Sequence, residues 1–282
     1  MNLALVTWSN LPNLTEDDRL LLPELRALGA EAQAVVWDDP DVAWESFDGI
    51  VLRSCWDYHL RIAEFSVWLQ RLEEIRAHVI NPAPMVRWNL DKRYLRGLAL
   101  PTVPTVWLER HARVDLASLL RTHGWQCAVV KPAISASAFG TFVTTGDDQA
   151  RVDELLAHSA LLVQPFVDEV VSLGEWSLMY FDGVFSHAVV KRSREGDFRV
   201  QSEFGAATTL TPVPTGLLEQ AEAALAVAPV RPTYARVDGV MIDGVFTLME
   251  LELIEPVLFL GMHEGSAARF AKAVVERVRC VG

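Results

Sequence analysis

Two runs decide the fold: Tyr234-Ala235-Arg236-Val237-Asp238 and Leu248-Met249-Glu250-Leu251-Glu252-Leu253-Ile254-Glu255-Pro256, joined through Asp243-Gly244. An Asp-Gly pair between apolar runs is a strong signal for a two-residue hairpin turn. The expected strands are Tyr234 to Ile242 and Val245 to Leu253. A strand has a side-chain period of two, so Glu250 and Glu252 point to one face. Pairing about the turn sets Asp238 opposite about Met249, beside both glutamates. Three carboxylates on one face repel each other. A hard cation such as Mg²⁺, which takes oxygen ligands, relieves that repulsion. The alternative is a solvated edge hairpin with ordinary surface acids. The flanking Val240, Met241, Leu248, Leu251 and Leu253 are very apolar for an exposed hairpin.

Outward from this hairpin, Asp182-Gly183 gives a second one, between strands expected at Glu175 to Phe181 and Val184 to Val190. Further strands are expected at Thr105 to Leu108, Cys127 to Lys131 and Leu161 to Gln164, with a last helix from Glu264 to Val278. The first hundred residues read differently. Strands at Leu3 to Val6, Ala32 to Trp37, Gly49 to Leu52 and Val79-Ile80 alternate with helices at Glu16 to Leu28 and Ile62 to Arg76. Such alternation implies a small parallel sheet. Pro101 and Pro104 mark a linker. The fold class is therefore an α/β N-terminal domain followed by an α+β region. The expected division falls at about residue 100, leaving 1–100 as the N-terminal domain.

Composition narrows the function. Of 282 residues, 51% are apolar, which argues against disorder. No apolar run approaches the ~20 residues that cross a bilayer, and Met1 to Trp8 reads as a strand rather than a signal peptide, so no membrane partner is expected. The net charge of −12 disfavours a nucleic-acid partner. Cys55, Cys127 and Cys280 are scattered without a CxxC spacing, which fits reduced thiols in a cytoplasm. There is no Gly-x-Gly, Walker loop, GxSxG or HExxH; His263-Glu264 is followed by Ala267 where the second zinc histidine would stand.

Several cations stand out in so acidic a chain. Lys131 ends an apolar strand and either snorkels to solvent or meets an anion. Lys92 is expected on a helix. Lys191, Arg192 and Arg199 follow the strand ending at Val190. With the acidic triad, they suggest a metal–triphosphate site. The run from Leu161 to Val167 carries an apolar strand into Pro165, a hinge whose backbone can read an adenine edge between the apolar walls Val163 and Phe166. A plain strand end is the alternative.

In order and spacing these residues resemble the ATP-grasp superfamily over nearly the whole chain, the segment around Asp238 and Glu250 being similar to the metal-binding end of D-alanine–D-alanine ligases and glutathione synthetases. The resemblance implies two lobes clasping ATP, 101–168 and 169–282, behind an N-terminal domain. It implies Asp238, Glu250 and Glu252 as Mg²⁺ ligands and Arg236 as a phosphate contact. Lys92 and Lys131 match the lysines that hold the phosphates; Gln164, Pro165, Phe166 and Val167 match the adenine hinge, and Glu175 the acid that contacts ribose. Lys191, Arg199 and Gln201, followed by Gly205, resemble a stretch that holds phosphate and acyl-acceptor groups, so Arg236, Lys191 and Arg199 take the catalytic roles. Two departures stand out. Glu252 occupies a position usually held by Asn, and the loop Ile134 to Gly140, usually glycine-rich, has one glycine.

Within the superfamily, Arg53-Ser54-Cys55-Trp56-Asp57-Tyr58 and the stretch Trp88 to Leu95 are similar to the cyclo-ligase of the D-cycloserine pathway. This implies a small carboxylate substrate with an amine or ureido-type nitrogen, O-ureido-D-serine in type, closed into a ring through an acyl phosphate. Arg53, beyond a buried strand, is the expected carboxylate clamp; an ion pair with Asp48 or Asp57 is its alternative. Asp57, Gln201 and Gly205 join it as substrate candidates, and the loop Ser193 to Phe204 is the expected lid. A phosphotransferase and a non-catalytic ATP-binding regulatory protein on the same fold are the competing readings. Linear or cyclic product and oligomeric state, a homo-oligomer included, stay open.

Overall fold

The computed structural model describes residues 1–194, 199 and 205–280. β1 (Asn2–Thr7), β2 (Glu31–Val36), β3 (Gly49–Ser54) and β4 (Val79–Ile80) form a parallel sheet in the order β2-β1-β3-β4. The single helix expected over Glu16 to Leu28 is two, α1 (Glu16–Arg19) and α2 (Leu21–Ala27). Pro23 supplies the reason: it has no N–H for the Arg19 carbonyl, so the ladder breaks there. The apolar stripe of α3 (Ile62–Glu74), with Phe65, Trp68, Leu69 and Leu72, covers one face of the sheet together with Val86 of α4 (Ala83–Leu90). The other face is covered by Leu21 and Leu25 of α2 and by Phe270, Val274 and Val278 of the last helix, Ser266–Arg279. The chain's end thus packs on its beginning, although the sequence reading groups it with 169–282. An open sheet with two apolar faces needs a cover on each.

The second sheet is antiparallel: β5 (Val106–Leu108), β6 (Ala128–Pro132), β7 (Phe142–Thr144) and β8 (Leu161–Pro165), ordered β5-β8-β6-β7. Two helices, α5 (Leu116–His123) and α6 (Gln149–His158), cover one face through Leu116, Leu120, Val152 and Leu156. The third sheet holds β9 (Glu175–Phe181), β10 (Val184–Arg192), β11 (Ala207–Leu210), β12 (Tyr234–Ile242) and β13 (Val245–Glu252), ordered β11-β10-β9-β12-β13. Short α7 (Asp168–Ser172) links the second sheet to the third, and α8 (Thr215–Leu225) packs Leu217, Ala221 and Leu225 on the third. The final helix is α9.

In the β12–β13 hairpin the register steps by one residue between Asp238 and Gly239, so Asp238 faces Glu250 rather than Met249. Met249 is the extra residue of this bulge. Gly239 is required there, because an added Cβ would lie 2.4 Å from the Phe246 ring and 2.7 Å from the Thr247 carbonyl oxygen.

β13 is an edge strand, and the N-terminal segment satisfies its outer backbone. The Asn89 amide donates to the Leu251 carbonyl at 2.7 Å and accepts from the Leu253 N–H at 2.8 Å, as a neighbouring strand would. The Tyr94 hydroxyl bonds both backbone groups of Leu251, and Leu248 N–H donates to the Pro101 carbonyl. Asn81, 1% exposed, donates to the Tyr234 and Leu253 carbonyls and accepts from Thr233 N–H. The loop after β13 is tied to β10 by His187, whose Nε2 donates to the Leu258 carbonyl at 3.1 Å while Nδ1 accepts from Ser186.

Two outcomes follow from these ties. Asn81→Ala leaves three buried backbone groups without partners and should cost about 3 kcal/mol in denaturant unfolding; a loss below about 1 kcal/mol would show the tie to be dispensable. Burial, with His263 beside it, lowers His187 to about 4. Its folded value lies below its unfolded one, so its contribution is present above the unfolded value and lost as pH falls through about 4. Between pH 7.5 and 4.5, His187→Gln should lose about 2 kcal/mol less stability than the parent, and parallel stability curves would exclude a neutral buried imidazole.

Candidate active site

A cleft opens between the second and third sheets, with the N-terminal domain at one end. Among the described residues, five cations line it (Lys92, Lys131, Lys191, Arg199, Arg236) and five carboxylates (Glu175, Asp238, Glu250, Glu252, Glu255). Four of the acids (Glu175, Asp238, Glu250 and Glu252) and two of the cations (Lys191 and Arg236) come from the third sheet; Lys131 comes from β6, and Glu255 from the loop after β13. Strand pairing sets Lys191 beside Glu175, Ser177 beside Asp238, Asp238 beside Glu250, and Arg236 beside Glu252.

Lys191 pairs with Glu175 at 2.5 Å and Asp238 at 3.4 Å. Ser177 donates to Asp238 at 2.6 Å. Arg236 reaches Asp238 at 2.8 Å, Glu252 at 2.5 Å and the Val257 carbonyl at 3.1 Å. Burial alone would raise Asp238, but the charges of Arg236 and Lys191 and the bonds from Arg236 and Ser177 hold it down at about 2. Glu252, sharing that arginine, is raised by burial and by Asp238, Glu250 and Glu255. Glu255 is raised by burial and then by Glu250, against Arg236 and Lys92.

Lys92 sits in a 3-10 turn, Lys92–Leu95, rather than the expected helix, because Asp91 caps the turn through the Arg93 N–H. Its ammonium donates to the Ser135 carbonyl at 2.7 Å and pairs with Glu250 at 3.1 Å. Lys131 faces the cleft with no hydrogen bond or ion pair among the described residues, and burial, then Lys92, lowers it against Glu250 and Glu175. The loop after β6 lines the cleft with Ser135, Ala136, Ser137 and Ala138. Ser137 and Ala138 both hold positive φ, 48° and 55°, doing without glycine what a glycine-rich loop does freely.

Asp238, Glu250 and Glu252 share a face, and among the described residues they engage cations of the chain rather than converging on one point. Arg236 stands between Asp238 and Glu252, and Lys92 takes Glu250. The donor chemistry fits a hard cation: the donors are all carboxylate oxygens, and burial together with the neighbouring acids holds Glu252 and Glu255 above their ordinary range.

At the hinge, Gln164, Pro165, Phe166 and Val167 line the cleft, but the Gln164 side chain donates to Thr105 and the Phe166 N–H to the Cys127 carbonyl. Val163 points into the core below β8; Val129, Val170 and Met249 are the apolar walls instead.

Neither Arg53 nor Asp57 reaches the cleft. Arg53, 1% exposed, pairs with Asp18 at 2.9 Å, donates to the Pro256 carbonyl at 2.7 Å and lies over the Tyr234 and Phe270 rings. It makes neither of the ion pairs weighed for it. Asp57 accepts from the Trp37 indole at 2.8 Å and pairs with Arg61 at 3.5 Å. Trp56 and Tyr58 of the same motif line the cleft instead. Arg199 lines it too, Gly205 stands in an exposed turn away from it, and Gln201 lies outside the described residues, as does most of the expected lid from Ser193 to Phe204. Reading the sequence missed Glu255, which stands three residues beyond Glu252 in a loop where strand periodicity no longer applies.

The model of the D-cycloserine synthetase DcsG N-terminal domain family matches residues 3–81. The cycloserine biosynthesis protein DcsG of Streptomyces lavendulae is 33% identical over 305 aligned residues, spanning 98% of this chain and 99% of that protein. The crystal structure of D-cycloserine synthetase DcsG matches with a TM-score of 0.88 at 32% identity, over 99% of this chain and 100% of that one. D-alanine–D-alanine ligase from Bacillus anthracis, complexed with ATP, matches at 0.70 with 16% identity, over 100% of this chain and 98% of that one, a likeness of fold. The architecture is that of the ATP-grasp ligases, and the chain belongs to the D-cycloserine synthetase DcsG family.

Proposed function

We propose that the protein is an ATP- and Mg²⁺-dependent carboxylate–amine ligase that closes a ring within a small ureido amino acid of the O-ureido-D-serine type. The observation that carries this reading is the charge of the cleft: among the described residues, five cations and five carboxylates, beside an apolar end formed by Val129, Phe166, Val170 and Met249. A base needs the apolar end. A triphosphate whose charge is largely offset by divalent metal suits a lining that is itself balanced. The D-alanine–D-alanine ligase of the same fold holds ATP, and the relatives named for cycloserine supply the substrate type.

In this reading Gln164 to Val167 border the adenine and Glu175 the ribose. Lys131 and Lys92 hold the phosphates with the backbone of Ser135 to Ala138. Asp238, Glu250 and Glu252 would hold Mg²⁺, which would supply positive charge to the phosphate oxygens. An oxygen of the substrate carboxylate attacks the γ-phosphorus, the bond to the bridging oxygen breaks, and ADP leaves. Lys191, Arg199 and Arg236 face the charge that develops on the transferred group. The nitrogen then attacks the acyl carbon; phosphate leaves with the proton, and a C–N bond remains. The free thiols of Cys55, Cys127 and Cys280 suit a reducing cytoplasm, and no helix among the described residues is long and apolar enough to cross a membrane.

ADP and phosphate should appear from Mg-ATP with O-ureido-D-serine alone, without a second amine, and stop on chelation of the metal. A requirement for a separate amine would exclude ring closure. Glu250→Gln should lower kcat by at least about 100-fold with an unchanged circular dichroism spectrum. Phosphate release at the parent rate would refute the metal assignment.

A further inference from the structure

Glu255 is 8% exposed, faces the cleft, and has no hydrogen bond or ion pair to its side chain among the described residues. A buried carboxylate without a partner is costly, and the common resolutions are a bound cation or a proton. It does not lie on the hairpin. β13 ends at Glu252, and the loop beyond it turns toward the N-terminal domain, where Trp56 Nε1 donates to the Glu255 carbonyl at 3.3 Å and Arg53 fixes the next residue through the Pro256 carbonyl. The Tyr58 hydroxyl stands among these acids: burial raises it, and Glu255 raises it more than Glu250 or Glu252 does. Arg236 and Lys92, the cleft cations whose charge acts on Glu255, are held by other carboxylates.

We infer that Glu255, walled by Trp56 and Tyr58, is the subsite for the α-ammonium group of the amino-acid substrate. The inference rests on the ligase reading above. That reading brings the substrate carboxylate to the phosphate-facing cations, and the ammonium of an α-amino acid is then one carbon away. It cannot point at the hairpin acids, which face metal and phosphate. On the N-terminal side, the remaining cleft carboxylate is Glu255. The walls also favour an organic cation over a metal: an ammonium pairs with a carboxylate while lying against aromatic rings, whereas Mg²⁺ keeps several waters and oxygen ligands. The subsite would make the enzyme select an α-amino acid over the same acid without its amino group.

The test measures calorimetric binding of two probes, O-ureido-D-serine and 3-(ureidooxy)propanoic acid, its analogue without the amino group, to the whole protein with Mg²⁺ and AMP-PNP. The parent should prefer the amino compound by about 10- to 100-fold, the range of a charge-assisted bond. Glu255→Gln should bind both probes alike, with AMP-PNP affinity unchanged, and Glu255→Asp should retain part of the preference. Equal binding of both probes by the parent, or a preference that survives in Glu255→Gln, overturns the subsite. So does a variant that keeps the preference and loses Mg²⁺-dependent AMP-PNP binding, since the carboxylate would then serve the metal. Binding of AMP-PNP with neither probe refutes the ureido-acid reading itself and the subsite with it, an outcome distinct from equal binding.

Discussion

The outer edge of β13 is the constraint on which the site depends. An edge strand leaves a row of N–H and C=O groups unpaired, and this strand carries Glu250 and Glu252 inward. Asn89 and Tyr94 close that row with side-chain bonds that stand in for a neighbouring strand. Because Asn89 and Tyr94 flank Lys92, the same short segment that fixes the strand delivers a cation to Glu250 at 3.1 Å. Strand geometry and site electrostatics are set by one piece of chain. A shift of β13 by one residue would turn both glutamates away from the cleft.

Arg53 gives the N-terminal domain a comparable hold. Burying a guanidinium is expensive unless its charge and donors are met. Here Asp18 meets the charge, the Pro256 carbonyl takes a donor, and Tyr234 and Phe270 lie against the plane. The arginine therefore joins β3, α1, β12, the loop after Glu255 and the last helix. It resembles a substrate clamp in sequence because it ends a buried strand. What decides its role is Asp18, far away in the chain and recognisable only once the fold brings it near.

The same distinction separates what could be read in advance from what could not. The two Asp-Gly hairpins and the parallel β/α alternation were legible, since each is written in local periodicity and turn chemistry. Glu250 and Glu252 on one face followed from the period of two. The bulge at Met249 was not legible: nothing local to the strand reveals that the Phe246 ring presses on Gly239. The helices Leu116–His123, Gln149–His158 and Thr215–Leu225 went unassigned, being short and edged by polar residues. Glu255 was in plain view within the hairpin segment. Its exposure of 8% and its lack of a partner among the described residues are tertiary facts that no spacing encodes.

The pairing of charges in the cleft also bears on how it admits a ligand. Arg236 serves Asp238 and Glu252 at once, and Asp238 holds it more firmly, being kept low by Lys191 and Ser177 as well. Glu252 shares its one arginine and is raised by burial and by the acids around it. A cation arriving at this wall would take over from Arg236 on the Glu252 side and free that guanidinium to turn toward an anion. Metal and phosphate would then bind with mutual support, each relieving a charge that the other needs, in the sense that the affinity of one site depends on occupation of the next. Glu at position 252 would strengthen that dependence, because a neutral amide there would make no such demand on Arg236.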